Sequence, residues 1–170
     1  MKKKISIVTP TYNEESNVET LCSLIATEMK KLNYEYEHIV IDNCSTDSTI
    51  SILKKLASSD KNLKIIINSR NFGHIKSPVH GILQTNGDAV ILMTSDLQDP
   101  VSMIPIYIQE WEKGNKVVMA QKNSSDEDIK INFIRRTFYK MIKYISEVPL
   151  SSNTTGAGLY DRKIVEEIRN

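Results

Sequence analysis

Short apolar runs punctuate the chain, and the segments between them carry apolar residues at helical spacing. Ile5-Ser6-Ile7-Val8 is β-rich and ends at Thr9-Pro10, after which Ser16-Asn17-Val18-Glu19 predicts a capping box opening a helix. Val18, Leu21, Leu24, Ile25, Met29 and Leu32 recur at three- and four-residue steps, which gives that helix one apolar face. The unit then repeats. His38 to Ile41 reads as a strand, Ser48 to Ala57 as a helix with Ile52, Leu53 and Leu56 inward, and Leu63 to Ile67 as a strand. A helix from about Ile75 to Gln84, a turn at Asn86-Gly87 and a strand from Ala89 to Met93 follow. Pro100 can start the next helix, whose Met103, Ile104, Ile106, Tyr107, Ile108 and Trp111 lead to Gly114 and a fifth strand, Lys116 to Ala120. Strands that read as continuous apolar runs and alternate with helices predict an α/β domain with a mostly parallel sheet covered on both faces.

After Ala120 the pattern changes. Lys122 to Asp128 is polar and reads as an exposed loop. From Ile129 to Ile145, Ile131, Ile134, Phe138, Met141, Ile142 and Ile145 repeat at helical spacing. Arg136, Lys140 and Lys143 share one face of that segment, with no acidic residue until Glu147. Ser151 to Gly158 is small and polar, and Ile164, Val165 and Ile168 begin an amphipathic element in which the sequence stops, as in a trimmed domain or a short terminal helix.

Composition narrows the classes. A length of 170 residues with 40% hydrophobic and 25% charged residues predicts one domain, 1–170, with a real core. A net charge of +1 removes any bulk electrostatic reason to expect nucleic acid. Cys22 and Cys44 stand far apart in no ligand-like pattern, which fits a reducing cytoplasm better than a disulfide framework or a zinc site. The longest purely apolar stretch, Ala89 to Met93, is far short of the roughly 20 residues a membrane helix needs. Met1-Lys2-Lys3-Lys4 runs directly into a strand and lacks the apolar region of a signal peptide.

In open α/β sheets ligands gather beyond the carboxyl ends of the strands. The polar residues that follow the first four strands are Thr9-Pro10-Thr11-Tyr12-Asn13-Glu14, Asp42-Asn43-Cys44-Ser45-Thr46-Asp47, Asn68-Ser69-Arg70-Asn71-Phe72-Gly73 and Thr94-Ser95-Asp96-Leu97-Gln98-Asp99. No GxGxxG turn follows the first strand, which argues against a dinucleotide dehydrogenase, and no G-x-S-x-G elbow is present. Asp96 and Gln98 are the oxygen donors that Mg²⁺ or Mn²⁺ prefers while leaving room for diphosphate oxygens; the competing reading is that Asp99-Pro100 caps the next helix. Asp42, directly after an apolar strand, is placed to accept from a nucleobase N–H, whereas Thr46 or Asp47 reads as ordinary N-cap chemistry. Tyr12 and Phe72 are candidates to stack on a base. His38 and His80 read as structural, and His74, beside Gly73, lies nearer the crevice.

With those residues in view, the chain resembles the family 2 glycosyltransferases of GT-A fold, particularly the branch that transfers sugars to dolichyl or undecaprenyl phosphate. The resemblance rests on Ile7 to Asn17, Val40 to Thr49, Arg70 to His74, Gly87 to Pro100 and, more weakly, Gly158 to Lys163, and its order covers nearly the whole chain. It implies transfer from a nucleoside-diphosphate sugar, such as a UDP- or GDP-sugar, with inversion at the anomeric carbon. Pro10, Tyr12, Glu14, Asp42, Asn43, Arg70, Phe72, Gly73, Lys76, Ser95 and Asp96 are then the expected donor-binding positions, and Asp96 with Gln98 the expected metal ligands. Asp99 is a candidate contact at the sugar or acceptor. Lys122, Arg135 and Arg136 are candidates to hold an acceptor phosphate or to lean on an anionic membrane surface. The resemblance thus implies a lipid-phosphate or glycan acceptor, a role in cell-wall or polysaccharide synthesis, and a cytoplasmic location with peripheral membrane contact.

Departures from the pattern matter. Thr94 stands where relatives carry the first carboxylate of D-A-D-L-Q-D-P, Asn43 replaces the second acidic residue of D-D-G-S, and Asn153 and Gly156 lie where the acceptor loop commonly carries Asp. No general base is assigned, and Asp161 has a competing structural reading. An acceptor phosphate, ionised at neutral pH, needs no dedicated base. Thr94 and Gly156 also leave open a nucleotide-sugar-binding or scaffold domain without turnover. Oligomeric state is not legible.

Overall fold

The computed structural model describes residues 2–121 and 154–169, with the side chains of 121, 154 and 155 left aside. The elements are β1 (Lys4–Thr11), α1 (Val18–Lys31), β2 (Glu35–Asp42), α2 (Thr49–Ser59), β3 (Leu63–Ile67), α3 (Gly73–Leu83), β4 (Ala89–Leu92), a 3-10 turn (Val101–Met103) leading into α4 (Ile104–Glu112), β5 (Val117–Gln121), β6 (Thr154–Asp161) and α5 (Arg162–Arg169). The chain divides into two compact units, residues 1–119 with 156–170, and residues 120–155. Of the second unit only the strand-end residues 120, 121, 154 and 155 are described. The expected loop from Lys122 and helix from Ile129 therefore lie outside the described residues.

The sheet order is β3-β2-β1-β4-β6-β5. β3, β2, β1 and β4 run parallel, and β6 joins β4 antiparallel. Alternate residues of the central strands face opposite layers. Val40 packs with Val18, Cys22 and Leu53 of α1 and α2, whereas its neighbour Ile41 packs with Ile82 of α3 and Val165 of α5. Helices thus cover both faces, as the continuous apolar strands predict.

Three local details differ from expectation. β1 runs past Pro10 to Thr11. Pro10 is tolerated because β1 pairs with β4 only from Ile5 to Val8, while on its other side it pairs with β2 as far as Thr11. The Val8 carbonyl accepts from Met93 N–H on the β4 side, and Pro10, two residues on, turns its missing donor to that same side, where the pairing has ended. The helix α1 has no capping box: its N-cap is Asn17, whose side chain makes no capping bond. The entry is held by the Glu14 carbonyl, which accepts from the N–H groups of Asn17 and Val18 at 3.0 Å, and by Asn17 Nδ2 donating to Glu14 Oε2 at 2.7 Å. The small, polar stretch ending at Gly158 forms part of β6. A Cβ at Gly158 would stand 2.5 Å from the Val118 carbonyl oxygen, so small residues let two backbones meet there.

Polar anchors close the end of the sheet away from the strand carboxyl termini. Asp161 Oδ2 accepts from Trp111 Nε1 at 2.7 Å and from Lys116 Nζ at 3.0 Å. Arg162 donates to the Gly87 carbonyl at 2.7 Å and to Thr85 Oγ1 at 3.0 Å. Asp161 pairs in register with Ala89 at the start of β4, so its role is structural. Buried His38 is likewise structural: its Nε2 and Thr9 Oγ1 are hydrogen-bond partners at 2.9 Å. His80 is exposed on α3. Cys22 and Cys44 are free thiols, and burial, with Asp60 nearby, pushes Cys22 up to about 12.

Candidate functional site

Four parallel strands end on one edge, and the chain crosses from β3, outside β2 on one side of β1, to β4 on the other side, which opens a crevice at that edge. Register fixes what lines it. Thr11 is opposite Asp42, and Val8 is opposite Leu92, so Asp42 and the segment 94–99 emerge from the same rim. Backbone strain collects here too. Asn13, Cys44 and Leu97, in the loops after β1, β2 and β4, adopt φ of 54°, 69° and 58°. Such angles cost a non-glycine residue about 1–3 kcal/mol and persist where surrounding bonds over-determine them.

The loops after β1 and β2 are stitched reciprocally. Asn13 N–H donates to Ser45 Oγ at 2.8 Å while Thr46 N–H donates to Asn13 Oδ1 at 2.8 Å. Glu14 N–H donates to Thr49 Oγ1 at 2.9 Å, and Ser48 N–H to Glu15 Oε2 at 2.8 Å. Asp47 receives N–H bonds from Glu15 and Thr49. Desolvation raises its pKa, but hydrogen bonds from the Thr49 side chain and from backbone N–H groups together outweigh it and hold the carboxyl below its ordinary value. The expected N-cap at Thr46 or Asp47 falls instead at Ser48, which makes no side-chain capping bond; Asp47 holds the entry to α2 from one position before it, through Thr49 N–H. Asp42 is fully buried and accepts from Ser45 N–H at 2.9 Å and from the Ser45 hydroxyl. It therefore shapes its own loop as well as closing β2. Glu14 is half-buried at the mouth, Tyr12 is exposed, and Pro10 is half-buried in the strand below them.

Asn43 is the hub of the neighbouring loop. Its Oδ1 accepts from Phe72 N–H at 2.9 Å and Asn68 Nδ2 at 3.1 Å, while its Nδ2 donates to Asn71 Oδ1 at 2.8 Å and more weakly to the Gly73 carbonyl. An aspartate could accept the first two bonds but could not donate the last two. The structure therefore gives the amide a positioning role that the sequence reading, which aimed it at a base, did not include. Gly73 takes φ +83° at the start of α3, an angle suited to glycine, with its N–H on Asn71 Oδ1 at 2.8 Å. The Arg70 guanidinium stacks over the exposed Phe72 ring at 4.8 Å, and Lys76 and His74 are exposed on the first turns of α3. Asn13, Asn68 and Asn71 were visible as amides at strand ends. Their part in this network needed three loops in space.

In the segment after β4, Asp96 is exposed and its Oδ1 accepts from Thr94 Oγ1 at 2.8 Å and Gln98 N–H at 3.2 Å. Buried Asp99 does not cap the following turn: neither that turn nor α4 has a side-chain capping bond, and Asp99 Oδ2 instead lies 3.4 Å from Thr94 Oγ1. Ser95 is buried beneath Asp96 in sequence, and Gln98 is exposed. Among the described residues no group of three or more His, Cys, Asp or Glu side chains is placed to hold a metal ion. The donor set, one exposed carboxylate and one exposed amide oxygen, fits a hard cation that takes most of its remaining oxygens from a diphosphate and water. Lys122, Arg135 and Arg136 lie outside the described residues.

An α/β sheet of this order, with a polar crevice at its strand ends, defines a protein of the GT-A class. Solved structures agree on the fold. A mannosyltransferase from Pyrobaculum calidifontis in complex with GDP-Man and Mn²⁺ aligns over 99% of this chain and 47% of its own at TM-score 0.64 and 18% identity. Glucosyl-3-phosphoglycerate synthase from Mycobacterium tuberculosis, in complex with Mn²⁺, UDP-glucose and phosphoglyceric acid, aligns over 95% and 58% at TM-score 0.67 and 21% identity. The family model for glycosyl transferase family 2 matches residues 6–169, and the chain belongs to that family. Relatives include an uncharacterized glycosyltransferase of Synechocystis sp., 35% identical over 99% of this chain and 54% of its own length. The bactoprenol glucosyl transferase of Shigella phage SfX is 34% identical over 98% and 55%. The chain spans about half the length of these relatives.

Proposed function

We propose that this chain is the catalytic region of an inverting glycosyltransferase that moves a sugar from a UDP- or GDP-sugar to a polyprenyl phosphate or a cell-surface glycan, in cell-wall or polysaccharide synthesis. The observation that carries the reading is the common rim of Asp42 and Asp96, with loops tied so that carboxylates, amides, aromatic rings and cations surround one crevice. The donor complexes among the similar folds and the bactoprenol-named relatives support it.

In this reading Asp42 and the Asn43-held loop receive the nucleoside, and Pro10, Tyr12, Glu14, Phe72 and Gly73 line it, with Tyr12 or Phe72 stacking on the base. Arg70, Lys76 and Ser95 meet the diphosphate. Asp96 and Gln98 would hold Mg²⁺ or Mn²⁺, and that ion, when bound, neutralises charge growing on the departing nucleoside diphosphate. Asp99, desolvated beside Thr94, is positioned to orient a sugar or acceptor hydroxyl. A phosphate acceptor attacks as an oxyanion, so no assigned base is required. Lys122, Arg135 and Arg136 neutralise that acceptor. The working location is the cytoplasm at the inner membrane face; among the described residues no helix is long and apolar enough to cross a membrane.

Calorimetric titration with UDP, GDP and their sugars, with and without Mn²⁺, tests the reading. Metal-enhanced binding of at least one is expected, and no binding across the panel defeats it. Thr94, where relatives carry a carboxylate, favours a second reading, a donor-binding domain without turnover. Release of nucleoside diphosphate in the presence of undecaprenyl phosphate or a glycan acceptor excludes that second reading.

A further inference from the structure

Asn68, directly after β3, ties three parts of the fold together. Its N–H donates to the Asp42 carbonyl at 2.9 Å, which carries the β2–β3 pairing one step past Ile67. Its side-chain amide leaves that ladder. Nδ2 donates to Asn43 Oδ1 at 3.1 Å and to Ser77 Oγ at 3.0 Å, so the amide of this half-buried residue reaches both the loop after β2 and the second turn of α3.

The direction of these bonds is fixed by groups that cannot reverse. Phe72 N–H can only donate, so the Asn43 atom facing it is Oδ1. That oxygen can only accept, so the Asn68 atom beside it is Nδ2. The far side of Asn43 agrees: Gly73 N–H donates to Asn71 Oδ1, and Asn43 Nδ2 donates to the same oxygen. An aspartate at position 68 would set a carboxylate oxygen against Asn43 Oδ1, acceptor against acceptor.

The two ends of the link carry different donor-binding positions. At one end are Asp42 and, through Asn43, the loop with Arg70 and Phe72. At the other is α3, on which exposed Lys76 precedes Ser77, 2% exposed against Asn68. The C-terminal half of α3 is held by close packing, with a Cβ at Gly81 only 2.8 Å from Val8 Cγ1, and by Arg169 donating to the Leu83 carbonyl at 2.8 Å. Apolar packing is non-directional and sets how near the helix lies to the sheet. The bond to Ser77 has a direction, and it sets where the first turns of α3 stand along the rim.

We propose that Asn68 is a positioning residue for the nucleoside-diphosphate donor: by bridging Asn43 and Ser77 it holds Arg70, Phe72 and Lys76 in one arrangement. The proposal rests on the transferase reading and adds two residues, Asn68 and Ser77, that act through others. Asp96 and Gln98 follow β4, on the opposite side of β1 in the sheet, so the link does not reach the metal-binding segment.

The test is calorimetric titration of the full 170-residue chain with UDP and GDP, with and without Mn²⁺, beside urea unfolding of each variant. For the nucleotide that wild type binds, Asn68→Ala is expected to weaken affinity about fivefold or more and Ser77→Ala about threefold, both in the folded chain. Asn68→Ala with Ser77→Ala together should match Asn68→Ala alone, because Ser77 acts through Asn68. The factor by which Mn²⁺ strengthens binding should stay within about twofold of wild type in every variant. Asn68→Asp, which keeps an acceptor and loses both donated bonds, should lose as much as Asn68→Ala; wild-type affinity in that variant overturns the proposal. So does reduced stability with unchanged affinity in Asn68→Ala, additive loss in the double variant, or a collapse of the Mn²⁺ factor. If Asn68→Ala fails to fold, Ser77→Ala, which removes a single bond, carries the test. Failure of wild type to bind either nucleotide overturns the transferase reading and the positioning role with it, whereas unaltered affinity in the variants overturns the positioning role alone.

Discussion

The hydroxyl of Thr94 donates to Asp96 Oδ1 at 2.8 Å and lies 3.4 Å from Asp99 Oδ2, so one neutral side chain bridges the two carboxylates of the segment after β4. The bond occupies one oxygen of Asp96, the proposed metal ligand. Thr94→Asp adds a charged oxygen donor and removes that bond. Mn²⁺ affinity of the nucleotide-free chain, read by calorimetry or electron paramagnetic resonance, is expected to rise about tenfold or more, since ligand charge tunes affinity for hard cations. Unchanged affinity would remove Asp96 from the set of metal ligands.

Asp96→Ala is expected to leave the fold intact, with stability within about 0.5 kcal/mol of wild type, because the side chain is exposed and bonds only within its own loop. Donor binding should then be the same with and without Mn²⁺. Normal metal dependence in this variant would contradict the assignment.

Asn43→Ala removes the acceptor of Phe72 N–H and one partner each from Asn68 Nδ2, which keeps Ser77 Oγ, and Asn71 Oδ1, which keeps Gly73 N–H. A stability loss of about 1 kcal/mol is expected, measured by urea unfolding. In a working assay the KM for donor should rise more than kcat falls, because the loop from Asn68 to Gly73 loses its shape while the segment from Thr94 to Asp99 does not. Asn43→Asp should recover only part of the loss, since it cannot donate to Asn71.

Acid stability follows from two buried groups. Burial, slightly offset by Asp60, depresses His38 to about 4, below its ordinary 6.5. The unfolded chain takes up that proton first as pH falls, so the stabilisation is complete above about pH 6.5 and is lost towards pH 4, at roughly 1.4 kcal/mol per pH unit. Glu37 feels burial raising its pKa, but bonds from Lys64, Asn86 and Ser6 and the charge of Lys4 bring it down to about 2. Its contribution is complete above its ordinary 4.5 and is lost as pH falls through 2. Urea midpoints against pH should therefore decline through both windows, and His38→Gln should flatten only the upper one.

Arg135→Ala with Arg136→Ala is expected to raise the KM for a lipid-phosphate acceptor while leaving UDP or GDP titrations within twofold, roughly 0.4 kcal/mol, of wild type. Equal loss of nucleotide binding would give these arginines a structural role.

The elements themselves were largely legible. Apolar runs and helical spacing locate β1 to β5 and α1 to α4 because burial on one or two faces leaves a period in the chain. β6 left no such trace: its first half, Thr154 to Gly158, is small or polar in sequence, and at Gly158, opposite Leu92 of antiparallel β4, a Cβ would stand 2.5 Å from the Val118 carbonyl oxygen of β5, so the backbones meet closely only with glycine there. The capping pattern at Ser16 misled for a related reason, since Glu14 was already holding the helix entry through its backbone carbonyl.

At the rim, sequence determined which chemistry is present: Asp42, Asn43, Asp96, Gln98 and Asp99 each follow an apolar run, and the motif order carries the family. What each side chain does was decided only in three dimensions. Asn43 spends its amide on the neighbouring loop, Asp42 binds back to Ser45, and Thr94 joins Asp96 to Asp99. A linear pattern encodes burial, which is a property of one segment at a time. Hydrogen-bond partners belong to pairs of segments, and parallel strands bring those pairs together only after the sheet has chosen its order.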